Sequence, residues 1–382
     1  MGKMRFSPYH ALAVIVALLV VSACSSAAPV APTATPAASA PAPTKQATSP
    51  ATQAPASKDS TKGSTGTPKL TSVNFGMIPS ITTAPTYVAL EKGYFKDQGI
   101  DLSIENFPDT VQIMTLVATG KLNFGQVTMG AAAFNSFARK TDMVMIASVN
   151  QEPAGHGSLM PLIVRKDLYD SGQIKSVADL KGRKVALNGK GTVLEWAMAK
   201  LLEKGRLKPE DVDLTFMPWP DMVTALSNKA MDAGLVGEPL ATRAVSSGAG
   251  VKLVDDYVPH AQFGTIFVNK VFAKENPQVV RDFLIAFLKS VRELNDGKFK
   301  NDPRDMEIIG KYTKVPSDVL KQVAPPYYDP NGHVNKESVL DIQRFMLQRK
   351  AVQYTEPLKI EDILDESYLE QALAVVGIVP NR

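Results

Sequence analysis

Two stretches carry residue types that could hold a ligand. In "NGKGT" (188–192) glycines flank Lys190 directly ahead of an amphipathic run. A turn of this kind at a helix N-terminus points backbone N–H groups and the positive end of the helix dipole outward. That chemistry suits an anion or the polar tip of a ligand; a plain strand-to-helix turn is the alternative. The phosphate-loop pattern needs a glycine five positions before the Gly-Lys pair. Position 184 is Lys184, so nucleotide hydrolysis is not its chemistry. In "MPWPDM" (217–222) Trp219 stands between two prolines, where a flat ring can stack on a heterocycle or pack inside the fold.

Catalysis finds little support. Cys24 is the single cysteine, and the four histidines are His10, His156, His260 and His333. No Ser-His-Asp or metal-ligand spacing emerges, so neither a catalytic residue, a metal nor a cofactor is expected. The net charge of +4 is mild and no Lys/Arg block interleaves with aromatics, which argues against nucleic acid.

The N-terminus reads as an address. Lys3 and Arg5 precede the apolar run "ALAVIVALLVV" (11–21), and "VSAC" ends at Cys24. The pattern resembles a bacterial lipoprotein signal: residues 1–23 are removed and the Cys24 thiol carries lipid. Residues 24–68 then form a tether. From 25 on they are almost all Ala, Pro, Thr, Ser and Lys, without an aromatic, Leu, Ile or Met, so they cannot bury enough apolar surface to offset their conformational entropy. A coil of this length spans on the order of 35 Å.

From Thr71 onward strand-like and helix-like patterns alternate. The first series runs from "LTSVNFGMI" (70–78) to "DMVMIASVN" (142–150), and the second from "GRKVALN" (182–188) to "VKLVDD" (251–256). Such alternation predicts α/β architecture with parallel sheets covered on both faces. Two series of similar size predict two lobes: 69–160 with 257–382 as lobe I, and 161–256 as lobe II. The segments 159–167 and 257–268 bracket the second series as a two-strand hinge, and the chain beyond residue 277 reads as mostly helical. Ligands in open α/β sheets sit beyond the carboxyl ends of strands, which here means a cleft between the lobes.

"PTYVALEKGYFKDQGIDL", "VATGKLNFGQVTMG", "DLKGRKVALNGKGT", "WPDMVTALSNKAMDAGLVGEP" and "ENPQVVRDFLIAF" occur in this order over about residues 72–290. Together they resemble the nitrate/sulfonate/taurine-type family of ABC-transporter substrate-binding proteins, which also contains thiamine-precursor and riboflavin binders. The resemblance implies a two-lobed periplasmic binding protein of type II-like fold. It also implies capture of a small solute and delivery to a permease and its ATPase, without enzymatic chemistry. With the lipid signal, it places the protein outside the cytoplasm as a monomer held to the membrane by its anchor alone. A lipoprotein that reports ligand to a receptor is the alternative role.

The expected cleft-facing turns supply the candidate ligand-binding residues. Thr82 and Thr83 suit either N-capping of a helix with Pro85 in its first turn or ligand contact. Tyr87 and Phe107 are candidates for one wall, with Thr128 at a strand end and His156 near the hinge. Gly191, Thr192, Trp219 and Glu238 line the other wall. Glu238 resembles the family's ligand-facing acid, and capping of the helix it opens is its other role. These turns hold Asp109, Glu152, Asp221 and Glu238 against only Lys190 and His156. Nitrate or a sulfonate would favour the opposite balance. The expected solute is therefore a vitamin-like aromatic heterocycle, riboflavin or a thiamine-precursor pyrimidine; an alkanesulfonate, taurine or nitrate is the alternative.

Overall fold

The computed structural model describes residues 70–155 and 157–380. The expected signal peptide, the Cys24 lipidation site, the tether and His156 lie outside the described residues. Ten strands form two five-stranded sheets. The first holds β1 (Thr71–Met77), β2 (Ile100–Asn106), β3 (Phe124–Thr128), β4 (Met143–Gln151) and β10 (Gln262–Asn269), in the order β2-β1-β3-β10-β4. The second holds β5 (Leu162–Arg165), β6 (Lys184–Leu187), β7 (Asp213–Phe216), β8 (Ala233–Leu235) and β9 (Gly250–Val254), in the order β7-β6-β8-β5-β9. Among the described residues no helix is long and apolar enough to cross a membrane.

The sheets are mixed rather than parallel, which corrects the sequence expectation. β1 pairs with β2 and β3 in parallel, but β10 lies antiparallel between β3 and β4. Likewise β6 runs parallel to β7 and β8, while β5 is antiparallel to β8 and β9. The reason is the route of the chain. β5 and β10 are the first strands built after the chain has crossed from the other sheet, and each enters from the end where its neighbours finish. Hydrophobic alternation reports burial and carries no information on strand direction.

The crossings themselves are paired. Residues 152–161 run from β4 to β5 and residues 255–261 run from β9 to β10. Glu152 N–H donates to Ala261 O at 2.9 Å, and His260 N–H donates to Glu152 O at 2.9 Å. Lobe II also braces the first crossing, with Val236 N–H on Pro161 O at 3.2 Å and Glu238 N–H on Leu159 O at 2.9 Å.

Among the helices that frame these sheets, those that bear on the site are α1 (Ala84–Glu91), α2 (Ala131–Ala138), α3 (Val193–Lys204), α4 (Trp219–Ser227), α5 (Leu240–Ser246), α6 (Pro277–Leu294) and α7 (Lys336–Gln348). α6 begins on proline, whose missing N–H costs nothing at the first helical position. Val280, Phe283, Leu284, Phe287, Leu288 and Val291 fall at helical spacing and are all buried. Phe283 sits at the centre of an aromatic group, with ring centroids 4.2 Å from Phe124, 5.1 Å from Phe95 and 5.6 Å from Phe75. A second apolar cluster runs without interruption from Met129 and Phe137 of lobe I through Val185, Val193 and Leu201 of lobe II to Ile342 and Met346 of α7. The lobes thus share part of their core.

Phe283→Ala removes a fully buried ring from a packed site, so it should destabilise the protein by about 3–5 kcal/mol. A urea titration would read this as a lower midpoint at unchanged slope.

Candidate functional site

The turn that opens α2 in lobe I meets the turn that opens α3 in lobe II. In lobe I the turn after β1 is a short 3-10 turn, Ile81–Thr83, closed by its own side chains. Thr83 Oγ1 accepts from Ser80 N–H at 3.1 Å and donates to Ser80 O at 2.7 Å, and Thr83 is buried. The Thr83 hydroxyl is spent inside the turn and does not cap α1. Thr82 is half-buried, and its hydroxyl shares a 2.7 Å hydrogen bond with Ser80 Oγ. Tyr87 lies within lobe I: it is fully buried, its ring stacks on Tyr312 with centroids 4.2 Å apart, and burial pushes its phenol up to about 12. Phe107 is half-buried against the shared apolar cluster. Thr128 ends β3 with an exposed side chain, opposite Gly264 of β10.

The glycine turn of lobe II faces lobe I directly. Gly130 and Thr192 form an antiparallel bridge, with Ala131 N–H on Gly191 O at 2.8 Å and Val193 N–H on Met129 O at 3.1 Å. Approach this close requires glycine at 130, since a Cβ there would lie 2.8 Å from Gly191 O. The Gly191 N–H donates to Glu195 Oε2 at 2.9 Å, and the Thr192 hydroxyl donates to Gly189 O at 3.0 Å. A carboxylate from the first turn of α3 therefore already sits on the turn's N–H. The Gly191 N–H and the Thr192 hydroxyl are used within the protein, at the junction between lobes.

Trp219 and Glu238 come together across Gly237. Trp219 opens α4 and is half-buried, with its indole lying over residue 237; a Cβ there would stand 2.9 Å from Trp219 Cε2 and Cζ2. The indole N–H is buried and has no protein partner. Glu238 Oε2 accepts from Thr242 N–H at 3.0 Å, which caps α5, while Glu238 Oε1 is buried without a partner. Burial holds this carboxyl above the usual carboxylate range. A buried polar atom with no partner carries its full desolvation cost.

Two further orphans escaped the candidate set drawn from sequence. Gln126, on β3, is buried with Oε1 unpartnered. Glu152, at the end of β4, is 1% exposed. Ser158 Oγ donates to Glu152 Oε1, while Oε2 has no partner. Nearby, the buried Tyr257 hydroxyl donates to Met160 O at 2.8 Å. In the sequence Glu152 shows only as one of the acids of the expected cleft-facing turns, after a strand that ends on Asn150 and Gln151. The fold's other acidic group, Glu293, Asp302 and Asp305, brings carboxylate oxygens within 4.8 Å of one another. Lys92 Nζ sits among them, 2.5 Å from Asp305, 3.6 Å from Asp302 and paired with Glu293, so this cluster holds its own cation.

Burial pushes the Glu152 carboxyl from 4.5 to about 7. The folded state therefore binds a proton that the unfolded state releases between these values. Stability should be highest below about pH 4.5 with respect to this group and decline as pH rises to about 7, by at most about 3 kcal/mol. Urea midpoints measured from pH 5 to 8 should show this slope, and Glu152→Gln should flatten it.

The model of the family described as NMT1/THI5 like matches residues 80–296, more than half of the chain. Riboflavin-binding protein RibY of Chloroflexus aurantiacus is 27% identical over 288 residues, covering 73% of this chain and 72% of RibY. The periplasmic aliphatic sulphonate-binding protein SsuA of Escherichia coli has the same fold at a TM-score of 0.63 and 18% identity, over 78% of this chain and 99% of its own length. The desulfurization enzyme DSZB shares it too, at a TM-score of 0.57 and 15% identity, over 80% of this chain and 99% of DSZB. The two sheets, the paired crossings and these matches make the chain a member of the NMT1/THI5-like family with the two-lobed fold of periplasmic binding proteins.

Proposed function

We propose that this chain is the solute-binding component of an ABC importer, capturing a small organic solute between its lobes and delivering it to a permease with its ATPase. It works outside the cytoplasm as a monomer, anchored by lipid on Cys24, and does no chemistry on the solute. The lead ligand class is a vitamin-like aromatic heterocycle, riboflavin or a thiamine-precursor pyrimidine. Thr82, Thr128, Trp219 and Glu238 are the sequence candidates that carry this reading best.

One observation supports that class above others. Besides the unpartnered hydroxyls of Thr86 and Tyr87 at the start of α1, four buried atoms at the strands and strand-to-helix turns lack a partner: three acceptors, Gln126 Oε1, Glu152 Oε2 and Glu238 Oε1, and one donor, Trp219 Nε1. With both carboxyls ionised, a ligand that satisfies them must bring mostly N–H or O–H donors together with an acceptor. Nitrate and simple sulfonates bring acceptors only. The helix N-terminus that would suit such an anion already holds the Glu195 carboxylate. An amino- or imide-bearing ring answers both demands and can lie against an indole. The likeness to RibY points the same way. The fold also carries an enzyme, so the non-catalytic reading rests on residues: the lone cysteine is the lipid-bearing one.

A thermal-shift screen of the mature protein against riboflavin, aminopyrimidines, alkanesulfonates, taurine and nitrate tests the reading. A true ligand at a hundred times its dissociation constant adds about 2.7 kcal/mol of stability. Trp219→Ala should weaken a bound heterocycle at least about tenfold, the scale of a lost aromatic contact. Stabilisation by nitrate or a sulfonate alone would overturn the ligand class, and stabilisation by none of these solutes would count against solute capture.

A further inference from the structure

The two covalent crossings are not the only connection between lobes. α7 is anchored to lobe I and to the returning crossing. Ser338 Oγ accepts from Gln262 N–H at 2.9 Å, and Asn335 Nδ2 donates to His260 O at 2.9 Å. The chain beyond α7 is fixed to the same lobe: Gln353 N–H donates to Asn135 Oδ1 of α2 at 2.7 Å, and Met145 N–H of β4 donates to Ile363 O at 3.0 Å.

From this base α7 reaches lobe II. Asp341 accepts the Trp196 indole N–H at 2.9 Å and pairs with Lys200 Nζ at 3.1 Å, both on α3. These partners hold the Asp341 carboxyl below the usual range despite its partial burial. Arg349, just past the end of α7, lies 3.5 Å from the buried Glu195 carboxylate and pairs with Glu210. Glu195 is the residue whose other oxygen holds the Gly191 N–H at the interlobe bridge. The same helix face contributes Val339, Ile342 and Met346 to the apolar cluster that both lobes share. Beside this packing an open groove of about 700 Å³ runs between α3, α7 and the returning crossing, lined by Trp196, Lys200, Tyr257 and Asp341 among others. The polar links of Asp341 therefore lie along an open seam next to the apolar contacts.

We propose that α7 is a clasp: the lobes open only when α3 detaches from it, and Asp341 and Arg349 are the links that set how often this happens. Opening exposes an indole N–H and two carboxylates that are satisfied in the closed form, and it uncovers part of a common core. Charged hydrogen bonds of this kind are worth more than neutral ones, and the buried Glu195 would be left without its cation. For a captured solute, the clasp then limits release. That consequence rests on the solute-capture reading; the clasp itself does not.

Single-molecule energy transfer on the full chain tests this without any ligand. Dyes are placed at Glu105→Cys on β2 and Asp213→Cys on β7, exposed positions on the outer strands of the two sheets, in a Cys24→Ser background. The parent should show one dominant short-distance state. Asp341→Ala with Arg349→Gln should raise the long-distance population on the order of tenfold. Arg344→Gln, whose ion pair is to Asp341 within α7, should change it little. An unchanged distribution in the double variant, with native circular dichroism, would overturn the clasp, and so would a parent that is already mostly open. Should the double variant not fold, Trp196→Phe removes the indole donor together with part of the ring volume; it should still increase opening, and no change there would overturn the proposal equally. Failure of the solute screen with a positive distance result would sink solute capture and leave the clasp standing.

Discussion

The pairing of Glu152 with His260 and Ala261 is the constraint from which the rest of the architecture follows. Two chain segments leave their sheets and cross together, and their mutual hydrogen bonds make a single ribbon of them. Because they cross side by side in opposite senses, β5 and β10 must enter their new sheets antiparallel to established neighbours. The carboxyl ends of the parallel strands then open onto the ribbon from both sides. Every turn that could touch a solute is placed by that arrangement, and the turn glycines at 130 and 237 exist because backbone or indole comes too close for a side chain.

Polar groups near the ribbon divide into two kinds. Some are fully used inside the protein: the Thr83 hydroxyl, the Gly191 N–H and the Thr192 hydroxyl all have partners at ordinary distances. Others are buried and unpaired, and these are mostly acceptors. The second kind is expensive to maintain in a folded chain, so its concentration near the carboxyl ends of strands is the physical basis for reading a ligand-binding region there. The first kind limits what the ligand can be, because a helix N-terminus filled by Glu195 has little attraction left for a second anion.

Much of the fold was legible because its signals are local. α6 and α7 follow from period-3.6 burial with clear starts, at Pro277 for one and at Asn335, which caps the other through Ser338 N–H. β4 was legible as a continuous apolar run, and it is buried along its whole length. Strand direction was not legible, because it depends on a crossing some ten residues earlier. In the candidate site, Trp219 and Glu238 stand out in the sequence as two unusual residues at turn positions. Tyr87 reads the same in sequence whether its ring faces a cleft or stacks on Tyr312, more than two hundred residues away. The burial of Glu152 and the contacts of α7 with α3 were invisible for the same reason: partners such as Asp341 for Trp196 are joined only by the folded chain.

The three-carboxylate corner around Lys92 carries one more consequence. Elsewhere such a group recruits a dissolved divalent ion, and the local structure then depends on the supply of that ion. Here the balancing charge is covalently attached. A tethered ammonium cannot be chelated, diluted or exchanged, so the positive charge among these three acids is present whatever the mineral content of the surroundings.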